Sequence, residues 1–398
     1  MSRAAELATD PAAHVAALLG ARTEANARFF DAEAEPLARL CHLMAERFAR
    51  GGRLVAFGRS PAARSDARHV AVEFVHPVIV GKRALPAIGL AGEGGPLAAQ
   101  VALLARPDDI AMAFGAGDAD GEAAAAIAVA RERGCLTIAF APALAEWQFA
   151  PPTADADVRQ ELVETLYHVL WELVHVFFEH RGLLSGRSER RSHDAGASSF
   201  LYPFLDERED KLEPVVEDVR RSVLAKAAEI GDLRAQTLTE NAEVIARAAS
   251  GLRLCFERGG KLLALGNGGS ATDAMDVVAD FRSAGRPAID LTEDPAILTA
   301  IANDIGTDAI FSRQVIAYGA AGDALLVLST SGNSTNVIAA LAEARRRELL
   351  TLAMVGYDGG RILAERLADH VVVTRSEHIP RIQEAQASAY HGLRALVG

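Results

Sequence analysis

The chain has 398 residues, of which 53 are acidic and 41 basic, so its formal net charge is −12. Hydrophobic residues make up 50% of the chain and aromatic residues 6%, which is typical of a globular protein. At about 100 to 200 residues per domain, this length predicts two or three domains, each large enough to bury a core. Because an acidic chain repels nucleic-acid phosphates and anionic lipid surfaces, neither is expected as a partner without a local basic patch.

The cysteines and the N-terminus bear on the compartment. Cys41, Cys135 and Cys255 form no CxxC pair and lie among apolar residues, so they are expected to be core residues rather than a disulfide framework. The first residues show no apolar run after their charges, and no stretch of about 18 uncharged apolar residues follows. We therefore expect a cytoplasmic protein with no membrane-spanning helix.

The sequence contains an internal repeat. The segment GGRLVAFG at Gly51–Gly58 reappears 208 positions later as GGKLLALG at Gly259–Gly266. Further on, DIAMAF at Asp109–Phe114 matches DALLVL at Asp323–Leu328, and the ends of the two copies also match. Two homologous domains in tandem are the simplest explanation.

Each copy shows the same order of predicted elements. Helical sequence at about 12–50 and about 209–258 precedes short apolar strands that alternate with Ala-rich helices. This alternation is the βαβ pattern, so we expect two α/β domains, each a doubly wound parallel sheet preceded by an N-terminal helical pair. The predicted domains are residues 1–181 and 210–398, joined by a polar, Arg-rich linker at 182–209. The strands predicted in the first domain are Leu54–Phe57, Val78–Val80, Ile110–Phe114 and Leu136–Phe140.

Two loops of the second copy have the composition of phosphate-binding loops. The strand LLAL leads into GNGGS at Gly266–Ser270, and LLVL leads into STSGNS at Ser329–Ser334 before a helix. Glycines let the backbone approach a ligand, hydroxyls donate to anionic oxygens, and a helix N-terminus presents unpaired amides. A tight turn that caps the helix would use the same residues. Two such loops at neighbouring strand ends favour phosphate binding.

With three further segments, these loops resemble the sugar isomerase (SIS) domain family, and within it most closely the phosphoheptose isomerases. The further segments are ANDIGTDAIFSRQV at Ala302–Val315, GYDGG at Gly356–Gly360 and RIQE at Arg381–Glu384. The resemblance covers residues 210–398. It implies conversion of sedoheptulose 7-phosphate to D-glycero-D-manno-heptose 7-phosphate through an enediol, with bound zinc. The family's tetramers imply that this tandem chain forms a homodimer.

The resemblance also implies which residues hold the small-molecule sugar phosphate and the metal. The substrate-binding positions are Asn267, Gly268, Gly269, Ser270, Asp304, Ser329, Thr330, Ser331, Ser334 and Gln383. The family places a His and a Glu four residues apart after GNGGS, and a Gln and a His eight apart on the last helix. The second copy fills the last pair with Gln383 and His391, but Asp276 and Asp280 occupy the first pair.

The first copy fills all four of these metal positions, with His69, Glu73, Gln160 and His168. Glu73 and His168 are then the implied acid/base pair. The alternative pair is Asp280 and His391, within the alternative metal set of Asp276, Asp280, Gln383 and His391. Spacing of four residues places His69 and Glu73 on one helix face.

The first copy has lost the phosphate loops. STSGNS corresponds to GAGDAD at Gly115–Asp120, whose two carboxylates would repel phosphate, and GNGGS corresponds to GRSPA at Gly58–Ala62. One copy therefore keeps the metal and acid/base set, and the other keeps the phosphate loops. Two explanations stay open: a composite site formed from both copies, or a non-catalytic module that binds sugar phosphate or a protein partner.

Overall fold

The computed structural model describes residues 11–78, 82–92, 94–115, 121–140, 144–180, 183–184 and 211–398. The chain divides into two compact units. The amino-terminal unit is Glu24–Glu229, and the carboxyl-terminal unit is Met1–Thr23 with Ile230–Gly398. Each unit contains one five-stranded sheet.

The amino-terminal unit alternates strands and helices after one long helix. Its elements, in chain order, are α1 (Pro11–Ala49), β1 (Leu54–Phe57), α2 (Pro61–Val75), β2 (Ala87–Leu90), α3 (Leu97–Leu104), β3 (Ile110–Ala113), α4 (Glu122–Glu132), β4 (Leu136–Ala139), β5 (Trp147–Gln148), α5 (Ala156–Glu179) and the first part of α6 (Leu212–Glu240). Strands β1, β3 and β4 are buried at every position. Such continuous burial is expected where helices cover both faces of a parallel sheet.

The strand order in this sheet is β2-β1-β3-β4-β5, and every neighbouring pair is parallel. The direction of winding reverses between β1 and β3, which defines a doubly wound sheet. A large apolar cluster that includes Phe30, Met44 and Leu166 lies on one side of the sheet, and a smaller one that includes Val101 and Ile127 lies on the other.

The carboxyl-terminal unit repeats this architecture, and its last three strands are longer than those of the first sheet. Its elements are the end of α6, α7 (Ala242–Glu257), β6 (Leu262–Leu265), α8 (Gly269–Ser283), β7 (Ala288–Asp290), α9 (Pro295–Asp304), a 3₁₀ turn (Thr307–Ala309), α10 (Ser312–Tyr318), β8 (Ala324–Ser329), α11 (Thr335–Arg346), β9 (Leu350–Gly356), α12 (Gly360–Ala364), β10 (His370–Thr374) and α13 (Ile379–Val397). The strand order is β10-β9-β8-β6-β7, again entirely parallel. The winding reverses between β6 and β8.

Asn241 separates α6 from α7 and also covers the edge of the sheet. Its side-chain Oδ1 accepts a hydrogen bond from the Val373 amide at 3.0 Å, and its Nδ2 donates to the Val373 carbonyl at 3.0 Å. Val373 lies in β10, an edge strand of this sheet. The amide of Asn241 thus satisfies both outward-facing backbone groups of this residue.

The predicted α/β fold, with two doubly wound parallel sheets and helical sequence before each, is confirmed. Before the first sheet there is a single helix of 39 residues, whereas α6 and α7 form a pair before the second. The second strand in the first sheet is β2 (Ala87–Leu90), not the predicted Val78–Val80, of which residues 79–80 lie outside the described part of the chain.

The unit boundaries fall inside helices. Residues up to Thr23 in α1 belong to the carboxyl-terminal unit, and the part of α6 up to Glu229 belongs to the amino-terminal unit. Most of the predicted linker at 182–209 lies outside the described residues. None of the helices in the described parts of the chain is both long and apolar enough to cross a membrane.

Candidate functional site

In the amino-terminal unit, helix α2 carries His69 and Glu73. The Ser60 side chain caps its N-terminus by accepting from the Ala63 amide, and Pro61 occupies the first helical turn, where a missing N–H is not needed. Both His69 and Glu73 are buried, with 2% and 1% of their surface exposed. Because they are one helical turn apart, His69 Nε2 and Glu73 Oε1 lie 4.0 Å from each other.

Helix α5 brings His168 to the same place. The helix starts at Asp155, whose carboxylate accepts hydrogen bonds from the amides of Asp157 and Val158. His168 is fully buried, and its Nε2 lies 3.3 Å from His69 Nε2. His69, Glu73 and His168 each have one possible ligand atom within 4.8 Å of those of the other two residues. We refer to these three residues as the His69 cluster.

Burial controls the protonation of His69. The apolar surroundings lower the pKa of His69 well below its ordinary value, and the nearby His168 imidazole lowers it further. His69 is therefore neutral at physiological pH. A neutral imidazole has a lone pair on one nitrogen, which is the form that binds metals or accepts protons.

The donor set of the His69 cluster fits zinc. Two imidazole nitrogens and a carboxylate are common zinc ligands in catalytic sites, in which a fourth position stays open. Two nitrogens bound at about 2.05 Å to a tetrahedral ion lie about 3.3 Å apart, and this is the distance between His69 Nε2 and His168 Nε2. The cluster therefore suits a zinc ion with little rearrangement.

Gln160, the fourth predicted ligand, lies on the same helix as His168. It precedes His168 by eight residues on α5, which corresponds to a rise of about 12 Å along the helix. Its amide nitrogen Nε2 is buried and has no hydrogen-bond partner among the residues that the structure describes. The structure thus brings together His69, Glu73 and His168, and the role of Gln160 as a ligand stays a prediction.

The carboxyl-terminal unit has a reduced version of this arrangement. Asp276 and Asp280 lie one turn apart on α8, while Gln383 and His391 lie on α13. His391 Nε2 is 3.6 Å from Asp280 Oδ2. Among the described residues of this unit taken by itself, no three histidine, cysteine or acidic side chains converge as the His69 cluster does.

The two glycine- and hydroxyl-rich loops of the carboxyl-terminal unit follow neighbouring strands. Gly266–Ser270 comes after β6 and Ser329–Ser334 comes after β8, on either side of the point where the winding reverses. In doubly wound sheets, ligands bind in the crevice at the carboxyl ends of the strands at this reversal. The location therefore agrees with the predicted role of both loops in phosphate binding.

Within the second loop, side chains hold the backbone in a fixed shape. The Gly332 amide donates to Ser329 Oγ, and the Asn333 amide donates to Ser331 Oγ, each at 3.2 Å. Ser334 is the N-cap of α11, and its hydroxyl makes no capping hydrogen bond. The loop therefore combines hydroxyls with the first-turn amides of a helix, as an anion-binding site requires.

The GYDGG segment packs against the loop at Ser329–Ser334. Gly332 and Gly360 both have positive φ angles, 62° and 53°. A Cβ atom on Gly332 would lie 2.4 Å from the carbonyl oxygen of Gly359, and one on Gly360 would lie 2.3 Å from that of Ser331. Asn333 Oδ1 accepts from the Arg361 amide at 2.9 Å. The two loops thus pack backbone to backbone, which only glycine allows here.

The first loop is tied to α11 by two asparagines. Asn267 Nδ2 donates to Asn336 Oδ1 at 3.0 Å, and Asn336 Nδ2 donates to Asn267 Oδ1 at 2.9 Å. Gly268 has a φ angle of 59°, and Gly269 begins α8. Asp304 lies exposed at the end of α9, where it accepts from the Asn303 side chain. The contacts of the sequence-predicted residues therefore link Asn267 to α11, but leave Asp304 at the surface.

The equivalent loops of the amino-terminal unit share only the glycine needed by the fold. A Cβ on Gly58 would lie 2.4 Å from Ala63 Cβ, and one on Gly266 would lie 2.2 Å from the Ser270 carbonyl oxygen. In both copies this glycine lets the strand turn closely into the next helix. Residues 116–120, where the sequence predicts that the second phosphate loop is lost, lie outside the described residues.

Comparisons with known proteins identify the family of the chain. Residues 227–356 match the SIS domain. A phosphoheptose isomerase from Desulfovibrio desulfuricans is 43% identical over 175 residues, which are 42% of this chain and 82% of that protein. A phosphoheptose isomerase from Chlorobaculum tepidum is 44% identical over 174 residues, again 42% of this chain and 82% of that protein.

A solved structure of tagatose-6-phosphate ketose/aldose isomerase from Escherichia coli matches 96% of this chain and 92% of its own, with a TM-score of 0.59. Its sequence identity is 13%, so it shares the fold alone. The resemblance deduced from the sequence motifs is confirmed by the identity to the phosphoheptose isomerases, most of whose length this chain covers. The chain belongs to the SIS domain family.

Proposed function

We propose that this protein is a sugar-phosphate aldose/ketose isomerase that converts sedoheptulose 7-phosphate to D-glycero-D-manno-heptose 7-phosphate. The buried His69 cluster carries the proposal, because one ligand atom from each of a carboxylate and two imidazoles lies within 4.8 Å of the other two there. The identity of 43% to a phosphoheptose isomerase supports the choice of substrate. The glycine- and hydroxyl-rich loops of the carboxyl-terminal unit would bind the phosphate group that every sugar phosphate carries.

The reaction moves a proton between two adjacent carbons. A base removes a proton from C1 of the ketose, which gives an enediol, and an acid returns a proton to C2 while the hydroxyl proton passes from O1 to O2. We assign these steps to Glu73 and His168. While either side chain binds a metal, it would have to release the metal or pass its proton through a bound water molecule. Glu73 has two carboxylate oxygens, so that one can face His69 while the other exchanges a proton with substrate.

The metal that we propose is zinc, held by His69, Glu73 and His168, with Gln160 as the fourth ligand that the resemblance implies. A bound zinc ion would act as a Lewis acid that stabilises negative charge on the substrate oxygens. His69 would bind the ion as a neutral imidazole, since burial lowers its pKa. Burial of all three residues excludes water from the reacting carbons, which strengthens each electrostatic contact.

Binding of the terminal phosphate is assigned to the loops at the ends of β6 and β8. The hydroxyls of Ser329, Ser331 and Ser334 and the first-turn amides of α11 would donate to the phosphate oxygens. Asn267 is assigned to the sugar chain, in the orientation fixed by Asn336. Thr330, Ser270 and Gln383 complete the proposed substrate set, together with Gly268, Gly269 and Asp304.

Proton NMR of sedoheptulose 7-phosphate in heavy water tests this function. With zinc-loaded protein, we expect solvent deuterium to enter C1 and aldose to appear. Glu73→Gln should abolish the exchange, while Asp280→Asn should leave it within a few-fold of the wild-type rate. The two substitutions are matched because each replaces a carboxylate by its amide at the same position of the two copies.

The reverse result, loss in Asp280→Asn with Glu73→Gln active, would move the base to the alternative set of Asp276, Asp280, Gln383 and His391. Absence of exchange with intact phosphate-dependent binding would contradict the isomerase assignment for this substrate. That outcome would favour a non-catalytic SIS module. This is the second candidate function, because Asp276 and Asp280 replace the family's His and Glu in the second copy.

A further inference from the structure

Tyr167 contacts the His69 cluster from outside. It immediately precedes His168 on α5 and is buried, with 1% of its surface exposed. Its hydroxyl oxygen lies 3.0 Å from His69 Nδ1, and the two rings meet edge to face with centroids 5.4 Å apart. The side chain of Tyr167 therefore contacts the ring nitrogen of His69 that faces away from the cluster.

The two nitrogens of His69 have different neighbours, and this decides where its proton belongs. Nε2 faces His168 Nε2 at 3.3 Å and Glu73 Oε1 at 4.0 Å. Nδ1 faces the hydroxyl of Tyr167. A neutral imidazole carries one N–H, so Nε2 has a lone pair for a metal only when the proton is on Nδ1. A hydrogen bond from that proton to an acceptor fixes the tautomer and the ring orientation.

We propose that Tyr167 is a positioning residue that accepts the Nδ1 proton of His69 and so holds the Nε2 lone pair toward Glu73 and His168. The inference rests on the proposed function, because it concerns the same metal-binding residues. Tyr167 itself touches neither substrate nor metal, and it acts only through His69.

The repeat provides an internal comparison. Tyr390 precedes His391 on α13, as Tyr167 precedes His168 on α5, and it is also 1% exposed. The residue that corresponds to His69 in this copy is Asp276, whose carboxylate has no ring and therefore no tautomers. Removal of the Tyr390 hydroxyl is therefore a matched control, because it also removes a buried tyrosine hydroxyl directly before a histidine on the last helix of its copy.

The test is zinc affinity, measured by chelator competition on the untagged full-length chain. Tyr167→Phe keeps the aromatic ring and removes the hydroxyl, and we expect its zinc dissociation constant to rise 10- to 100-fold. Tyr390→Phe should bind zinc with wild-type affinity. Wild-type affinity in Tyr167→Phe would overturn the proposal.

A second measurement reads the tautomer directly. In zinc-loaded protein with ¹⁵N-labelled histidine, the long-range ¹H–¹⁵N spectrum should show His69 protonated at Nδ1, with the signal assigned by its loss in His69→Gln. In metal-free Tyr167→Phe we expect a larger share of the Nε2-protonated form than in metal-free wild type. An unchanged tautomer ratio would overturn the proposal, even if general packing defects had weakened zinc binding.

These results separate the two proposals. If the wild-type protein binds no zinc, or binds it equally well after His69→Gln, the metal assignment of the proposed function fails. If zinc binding depends on His69 but not on the Tyr167 hydroxyl, only the positioning role fails.

Discussion

Arg53 and Asp109 form an ion pair, in which Arg53 Nη2 lies 2.7 Å from Asp109 Oδ2. The carboxylate also accepts from the Arg53 backbone amide at 2.8 Å. In the second copy, Lys261 Nζ lies 2.6 Å from Asp323 Oδ2, and the Lys261 amide donates to Asp323 Oδ1 at 3.0 Å. Each pair ties the residue before the first strand of a sheet to the residue before the adjacent central strand, β3 or β8.

Removal of this carboxylate should destabilise its unit. Asp323 is 4% exposed, and Asp323→Ala would leave the amides of Lys261 and Ala320 without their acceptor. We expect a loss of about 2–3 kcal/mol in the free energy of unfolding, measured by urea denaturation. Glu365→Ala, which breaks an exposed ion pair with Arg361, is the control and should have a much smaller effect on the free energy of unfolding. Equal costs would contradict the structural role of Asp323.

The contact between the phosphate loop and GYDGG predicts a linked loss of binding and stability in Gly360→Ala. A methyl group there would meet the Ser331 carbonyl oxygen at 2.3 Å and would also sit at a φ angle of 53°. We expect at least a tenfold increase in the KM for sugar phosphate and a loss of about 2–3 kcal/mol of stability.

Gly285→Ala separates the two causes. Gly285 has a φ angle of 73°, but a Cβ atom at this position meets nothing within 4 Å. The substitution should therefore cost about 1 kcal/mol of backbone strain and leave the KM unchanged. A tenfold KM effect in this control would show that general destabilisation, rather than the loop contact, weakens binding.

Lys82 should make stability depend on pH. Its ammonium donates to the Glu172 carbonyl at 2.8 Å and lies 5.0 Å from the centre of the Trp171 ring. Burial lowers the pKa of Lys82 to about 7, with repulsion from Lys226 adding to the effect and the carboxylates of Glu172 and Glu179 opposing it. An unfolded lysine has a pKa of about 10.4.

Between pH 7 and about 10.4 the unfolded chain therefore binds more protons at this site than the folded chain. Stability should rise with pH over this window, by at most about 1.4 kcal/mol per pH unit for one proton, and the burial penalty is fully present below it. Urea denaturation from pH 6.5 to 10 should show that Lys82→Met removes this slope. Lys211→Met, at an exposed lysine, should retain it; identical slopes in wild type and Lys82→Met would contradict the prediction.

Assembly offers a further prediction. If the tandem chain takes the place of two family subunits, sedimentation equilibrium should find a homodimer at micromolar concentration. A species of 42.1 kDa under these conditions would be a monomer and would contradict this proposal.

The fold was predictable because both copies of the repeat show the same order of apolar strands and helices. Buried strands such as β1 and β6 give continuous apolar runs, and each ends at a glycine that the turn requires. The sequence predicts helical structure over about 209–258 but does not show where α6 ends and α7 begins. The break at Asn241 depends on a hydrogen bond to Val373, more than a hundred residues away, which no local pattern encodes.

The candidate site was predictable where neighbours in sequence are neighbours in space. The spacing of His69 and Glu73 determines their proximity on α2, whereas the approach of His168 depends on packing between α2 and α5. Gln160 is grouped with them by resemblance alone, and its role as a ligand stays a prediction. Tyr167 had a signal, since a Tyr-His pair recurs at the same place in both copies, but its partner nitrogen is visible only in the structure.

The amide of Asn241 also has a consequence for behaviour at high concentration. An edge strand with free N–H and C=O groups is a template on which another chain can add a strand, and proteins that leave such edges open tend to aggregate. By pairing with both groups of Val373, the Asn241 side chain takes the hydrogen bonds that a residue of an added strand would make at this position. Asn241 thus protects β10 from intermolecular pairing.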